Sequence, residues 1–445
     1  MDNQLAYMDQ GSFLGLRALG RQPLIQFVWI YDRPVDVDGL LRFQKNLGHG
    51  LLGRRIERSP IPFGRHRWVA QAAPAELDVA ATARLRDEVW DWADTRVSLP
   101  IDPEHGPAWH LGVQPLKPGG AAVSLVVSHS VADGRAVSLA IADAVQGDRH
   151  DLGYPPPGAR TARSAVVRDL AATARSLPDI ARGLVAAVRT ARAEISPNGF
   201  RGPSGRIKSR KSGLGGDEPL ALPTAAAWVD LDLWDRRAEM LGGSSNSLFL
   251  GLVARLAQGM GRVDGAGRVV LVLPVSDRRA GDRRANALSV AKISVDPAAV
   301  TETLSALRKE VAAALAAVPG MSTDLLASMA MTPFTPRALL RRLEKVAATR
   351  SSDVGCSNLG DCDARINRPD GTDADRIVAR SIESPVTAAI LDRMGGHLFA
   401  GSGRVHGRVF ISVGAWIPGA ITSRRQLRER FVRAISDMGL TGTVE

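Results

Sequence analysis

A chain of 445 residues, 45% hydrophobic and 23% charged, is long enough for two domains that each bury a core, which excludes global disorder. It has no run of 18 apolar residues, and its N-terminal MDNQLAYMDQG lacks the basic-then-apolar plan of a signal peptide, so the expected location is the cytoplasm. The net charge of +11 is concentrated: residues 160–211 hold twelve Lys/Arg against Asp169, Asp179 and Glu194, a local +9. This block marks a surface drawn to membrane lipid, nucleic acid or cofactor phosphates, or else a solubilising solvated face.

In chain order, residues 24–31 are predicted as a strand and 37–47 as an amphipathic helix. A helical stretch follows over 74–95, then strands over 106–115 and 121–127 separated by the turn Lys117-Pro118-Gly119-Gly120, a hairpin. Residues 135–145 place Val137, Ile141, Ala144 and Val145 at helical spacing. Pro155-Pro156-Pro157 breaks the pattern before a basic helix over 161–195, with a kink expected at Pro178, and a Gly/Ser/Lys/Arg-rich stretch over 196–217. The second half restarts with a strand at 225–233, a helix at 247–260 and an apolar strand at 269–275. The implied division is an N-terminal α/β domain over 1–154, a basic helical crossover over 155–222 and a C-terminal α/β domain over 223–445. The two cysteines, Cys356 and Cys362, have a gap that fits neither a zinc knuckle nor a thioredoxin-type pair and are expected as reduced thiols.

Chemistry concentrates in Ser128-His129-Ser130-Val131-Ala132-Asp133-Gly134, with a histidine ending an apolar strand and an aspartate entering a helix. An imidazole with pKa near 6.5 accepts a proton from an alcohol at neutral pH and returns it to a leaving thiolate, which a serine or carboxylate does less readily. Asp133 is expected to cap the helix or pair with an arginine, fixing the loop that aims His129, and Gly134 to permit a tight backbone. Alone, H-x-x-x-D-G recurs by chance, and a single histidine at a strand end is more often structural.

Further motifs occur in order along the chain: Tyr7-Met8-Asp9-Gln10-Gly11-Ser12-Phe13-Leu14, Arg54-Arg55-Ile56 with the stretch 63–69, Ser196-Pro197-Asn198-Gly199 with the basic tract 202–211, Pro274-Val275-Ser276, Asn286-Ala287-Leu288-Ser289 and Ser357-Asn358-Leu359-Gly360. Together they resemble the wax ester synthase/diacylglycerol acyltransferase family, one of the CoA-dependent acyltransferases that include chloramphenicol acetyltransferase and peptide-synthetase condensation domains. Two positions depart from the family pattern: Ser128 stands where a double histidine is usual, and Asn246-Ser247 where Asn-Asp is common. These changes point to an altered acceptor, a weaker enzyme or a catalytically retired relative.

The resemblance implies two chloramphenicol acetyltransferase-like α/β sandwich domains with an interdomain channel, acyl-CoA as co-substrate, no permanently bound cofactor and no metal. It implies His129 as the general base in acyl transfer to diacylglycerol or a long-chain alcohol without an acyl-enzyme; natural-product alcohols or amines, with CoA or carrier-protein donors, are the alternative. Asp133 would be structural, paired with an arginine of the second domain, for which Arg278 is the best-placed candidate, although Arg278, Arg279, Arg283 and Arg284 also fit a solvated surface. Asn286, Ser357 and Asn358 are candidate donors to the oxyanion, against the plainer alternative of turn residues. The basic linker would hold CoA phosphates or draw the enzyme to the anionic inner face of a membrane. Nucleic acid is not expected, because the tract lacks interleaved aromatics. The tryptophans and Cys356 are expected as packing residues.

Overall fold

The computed structural model describes residues 3–71, 75–195, 213, 216–347 and 352–445. The Ser196-Pro197-Asn198-Gly199 motif and the basic tract 202–211 lie outside them.

The first half begins with helix α1 (Tyr7–Leu19) and strand β1 (Gln22–Tyr31). β1 is buried at every position but Pro23, the signature of a strand covered on both faces. Helix α2 (Val37–Leu47), strand β2 (Leu77–Val79), helix α3 (Val89–Val97) and the hairpin β3 (Trp109–Lys117) and β4 (Gly120–Ser128) follow, then α4 (Gly134–Gln146), α5 (Ala162–Arg175) and α6 (Leu177–Ile195). The second half contains β5 (Thr224–Asp230), α7 (Leu231–Met240), α8 (Ser245–Gly259), β6 (Val269–Ser276), β7 (Leu288–Val295), α9 (Ser305–Met329) and α10 (Arg337–Ala347). It ends with β8 (Val354–Asp361), β9 (Arg376–Ser384), α11 (Ala388–Arg393), β10 (His397–Val405), β11 (Arg408–Trp416), α12 (Arg424–Asp437) and β12 (Thr443–Val444).

These strands form two main sheets, each backed by helices in an α/β arrangement. The first runs β9-β1-β4-β3-β2, antiparallel except between β2 and β3. The second runs β7-β6-β8-β10-β11-β5-β12, with β8 parallel to both β6 and β10. β9 belongs to the C-terminal half yet pairs with β1 from Gln22↔Ser384 to Ile30↔Arg376. The contiguous division expected at residue 223 therefore does not separate the sheets. β9 also ties them together: the Ser412 hydroxyl donates to the Ala379 carbonyl and the Trp228 indole to that of Ile377, each at 2.7 Å.

Three expected elements differ. Within 74–95 only the end is helical, because Leu77 and Val79 alternate about Asp78 and pair in parallel with Leu111–Val113, a tertiary ladder that overrides the helix propensity of the local alanines. The strand expected over 225–233 stops at Asp230, whose carboxylate accepts from the Leu233 amide at 3.0 Å and starts α7. The break near Pro178 falls at Ser176, which places the proline in the first turn of α6, where its missing N–H leaves no intrahelical bond unmade. Trp68, Trp90, Trp92, Trp109, Trp228, Trp234 and Trp416 are all buried. No helix among the described residues is long and apolar enough to cross a membrane.

Candidate active site

The end of β4 is held to β1 beyond the last strand residue. The Ser128 hydroxyl donates to Gln22 Oε1 at 2.6 Å, and the His129 amide to the Pro23 carbonyl at 3.1 Å. Ser128 is completely buried, so the position that departs from a double histidine is a strand anchor here. The chain then turns through Ser130, Val131 and Ala132 to Asp133, which caps α4 by accepting the Ala136 amide at 2.8 Å.

The other Asp133 oxygen is saturated by the second half, accepting from Arg278 Nη2 at 2.7 Å and the Ala287 amide at 2.9 Å. The Arg278 side chain is 2% exposed and also donates to the carbonyls of Asp282, Arg284 and Ala285. One guanidinium thus shapes the loop between β6 and β7 and bolts it to the entry of α4; a pair this enclosed acts through geometry. Gly134 is the first residue of α4. A Cβ there would stand 3.3 Å from Leu359 Cδ2 on β8, close enough that the leucine would have to give by a few tenths of an ångström.

The bolted loop delivers Asn286 to His129, with His129 Nδ1 2.7 Å from Asn286 Oδ1. The neighbours of Asn286 settle which atoms carry protons. Its Nδ2 donates to the His129 carbonyl at 3.1 Å, which can only accept, and to Asp9 Oδ1 at 3.2 Å, so Oδ1 faces the ring and Nδ1 bears the hydrogen. In the neutral ring Nε2 is then the unprotonated nitrogen, and it has no hydrogen-bond partner among the described residues. His129 itself is half-buried. Asn286 was an expected oxyanion donor, but both its amide protons are engaged, so its place is behind the imidazole.

Asp9, on α1, is fully buried and accepts from the amides of Ala285 at 2.9 Å and Asn286 at 2.8 Å. Burial pushes its pKa up, while the Ala285 amide, the Arg54 charge and the Asn286 donors pull it back. Arg54, also fully buried, lies 3.8 Å over the Trp68 ring and joins the two loops, donating to the carbonyls of Val131 at 2.9 Å and Arg283 at 2.5 Å. Sequence reasoning gave neither residue a role, yet both carry a signal. Asp9 lies four positions before the core residue Phe13 on α1, and Arg54 alternates with Ile56 on the inward side of the short strand Arg54–Glu57.

The remaining candidates lie on β8. Asn358 donates to Asn246 Oδ1 at 2.9 Å and accepts the Gly360 amide at 2.9 Å, so its amide is largely committed to the turn. Ser357 is half-buried opposite Gly401, and its hydroxyl has no partner among the described residues. Ser247 completes a capping box with Ser244 at the start of α8, its hydroxyl donating to the Ser244 carbonyl at 2.9 Å. Cys356 and Cys362 are free thiols; burial raises both pKa values, that of Cys362 to about 11, which keeps them un-ionised.

Two cavities border elements of the site, and the lining of neither includes His129. One of about 520 Å³ is lined by Phe13, His66, Phe63 and Phe334; the neighbouring Ser12 hydroxyl lies 3.3 Å from that of Ser130. Another of about 550 Å³ is lined by Leu139, Ala140 and Asp143 of α4 and by Arg278 and Arg279. Asp143, Asp148 and His150 at the latter, and Asp102, Glu104 and His105 elsewhere, bring ligand-type atoms within 4.8 Å, and neither group includes a residue of the His129 site.

No protein-family model matches the sequence, and no curated protein matches it. Solved structures do. The wax ester synthase/diacylglycerol acyltransferase from Marinobacter aquaeolei VT8 superposes with a TM-score of 0.57 at 16% identity over 98% of both chains. The first condensation domain of the calcium-dependent antibiotic synthetase, in complex with a substrate analogue, gives 0.58 at 18% identity over 98% of this chain and 97% of that one. Polyketide synthase associated protein 5 from Mycobacterium tuberculosis gives 0.55 at 14% identity over 98% of both. The chain has their fold. It is the two-body α/β fold expected from the resemblance to CoA-dependent acyltransferases, and at these identities the likeness speaks for the fold alone.

Proposed function

We propose that this protein transfers a fatty acyl group from acyl-CoA to the hydroxyl of diacylglycerol or a long-chain alcohol, with His129 as general base. The observation that carries the reading is the Asp9–Asn286–His129 relay, which leaves the proton on Nδ1 and the lone pair on Nε2. Nε2 takes the hydroxyl proton as the alcohol oxygen attacks the thioester carbonyl; the C–S bond then breaks, and the thiolate leaves with the proton returned by the imidazolium. No acyl-enzyme is needed. While the ring is charged, Asn286 Oδ1 stabilises Nδ1–H, as an orienting acceptor does behind a catalytic histidine. Ser357, with its uncommitted hydroxyl, is the candidate donor to the oxyanion. Asp133 and Arg278 hold the two loops in register. A lipid acceptor places this chemistry at a bilayer, and the basic block over 160–211 suits the anionic inner face.

A second reading, transfer to a natural-product alcohol or amine from CoA or a carrier-protein thioester, takes support from the likeness to a condensation domain. Thiol release measured over a range of acyl-CoA lengths crossed with long-chain alcohols, diacylglycerol and polar alcohols separates the two. Release dependent on a lipid alcohol and abolished by His129→Ala is the expected result. Release with polar acceptors only favours the second reading, and no acceptor-dependent release, or release that survives His129→Ala, overturns the general-base proposal.

A further inference from the structure

Helices α5 and α6 carry an apolar row on their outer face. Val167, Leu170, Leu177 and Leu184 are 59, 47, 59 and 54% exposed. On α5 Val167, Leu170 and Ala174, and on α6 Leu177, Ala181 and Leu184, keep the three- and four-residue spacing that holds side chains on one side of each helix. The opposite side is engaged with the body of the protein. Asp169 is buried and bound by Arg67 and Arg160 at 2.9 Å each, and α6 runs so close to α9 at Gly183 that a Cβ there would stand 2.4 Å from the Ala327 carbonyl oxygen. The row therefore faces away from the core.

Beside it run arginines, Arg168 and Arg175 on α5, two turns or about 10.5 Å apart, and Arg182 on α6. Arg182 pairs with Asp179. Arg168 and Arg175 are exposed and have no ion-pair partner among the described residues. Two copies of the chain meeting through the apolar row would bring like-charged flanks together, whereas helix pairs select each other through opposite charges there. An anionic bilayer satisfies both rows, the aliphatic side chains entering the acyl boundary and the guanidinium groups staying at the phosphates.

The side of α5 and α6 that carries Asp169 also borders an apolar crevice. Thr173, Ser176 and Ile180 share a crevice with Phe63 and Phe334, rings that stack at 5.8 Å and are 39 and 38% exposed. Both rings line the cavity of about 520 Å³ that reaches Phe13, next to Ser12 and its contact with Ser130. We infer that the outer face of α5 and α6 is the surface by which this protein docks on an anionic bilayer, with the Phe63–Phe334 mouth at its flank. The inference rests on the acyl-transfer reading only for what enters that mouth, because docking is measured apart from turnover.

The test is sedimentation of the full chain with vesicles of equal parts phosphatidylcholine and phosphatidylglycerol, against vesicles of phosphatidylcholine alone. Binding to the mixed vesicles, weaker on the neutral ones and falling with salt, is expected. The doubly substituted Leu177→Glu/Leu184→Glu form should lose about tenfold or more in partition, and Arg168→Ala/Arg175→Ala about tenfold. All these positions are solvent-exposed, so thermal melts should be unchanged, and thiol release with a long-chain alcohol dispersed in detergent micelles should stay at the wild-type rate. Wild-type protein that ignores the mixed vesicles, or variants that bind them equally well, overturns the inference. So does a dimer in solution that Leu177→Glu/Leu184→Glu dissociates, since a second copy would then own the face.

Discussion

Replacing Asn286 with alanine removes the oxygen that receives the Nδ1 proton of His129 at 2.7 Å and leaves the imidazole itself intact. In the ground state that bond joins two neutral groups and contributes about 1 kcal/mol; once the ring has taken the alcohol proton it is charge-assisted and contributes about 1.5–3 kcal/mol. Only the difference between the two states slows the chemical step, and loss of the fixed tautomer adds to it, so a fall in kcat of about 10- to 100-fold is expected with KM for acyl-CoA little changed. The assay is thiol release at saturating acyl-CoA and alcohol for wild type, Asn286→Ala, His129→Ala and the double variant. Because Asn286 acts through the ring, the double variant should be no slower than His129→Ala. Asn286→Asp is a sharper perturbation: it puts a carboxylate oxygen where Nδ2 now lies 3.2 Å from Asp9 Oδ1, and two charges at that distance repel by about 5 kcal/mol at an effective dielectric constant of about 20. The carboxyl pair must then hold a proton, and kcat gains a pH dependence that wild type lacks. Wild-type kcat in Asn286→Ala, or a double variant slowed by the product of the two single factors, refutes the positioning role.

Asp133→Asn leaves the Arg278 guanidinium, 2% exposed, without its counter-charge, and should lower stability by about 3–5 kcal/mol in urea unfolding; a loss under about 1 kcal/mol would mean that the pair is better solvated than its burial indicates. Burial, reinforced by the Arg58 charge at His66 and the Arg96 charge at His110, lowers both histidine pKa values to about 4 from 6.5, so both are neutral in the fold and take up protons on unfolding. The stability this provides is complete above pH 6.5 and is lost as pH falls towards 4, by about 3 kcal/mol for each residue; His66→Gln/His110→Gln should flatten urea midpoints across that window, and an unchanged slope would show the shifts to be wrong.

How much of this was visible in the sequence depended on the distance over which each feature is decided. α2, the β3–β4 hairpin and α4 were legible because their apolar spacing and turn residues are local, and the structure bounds α2 at Val37–Leu47 as the periodicity did. The membership of β9 was not, since its alternation suits either sheet and only pairing with β1, some 350 residues earlier, chooses between them. The same holds at the site. His129 and Asp133 share one short loop and stand out as a motif, whereas the work of Asn286 is decided by Asp9, 277 positions away. An asparagine can offer either an oxygen or two N–H groups to a neighbour, so its residue type leaves its role open until the partners of its other end are known. At Asn286 those partners are the Asp9 carboxyl and the His129 carbonyl, and the carbonyl can only accept. This converts a residue that chemistry would accept as an oxyanion donor into the acceptor that sets the imidazole, and it makes the contacts of Asn286 with Asp9 and the His129 carbonyl, away from Nε2, the origin of the free lone pair on that nitrogen.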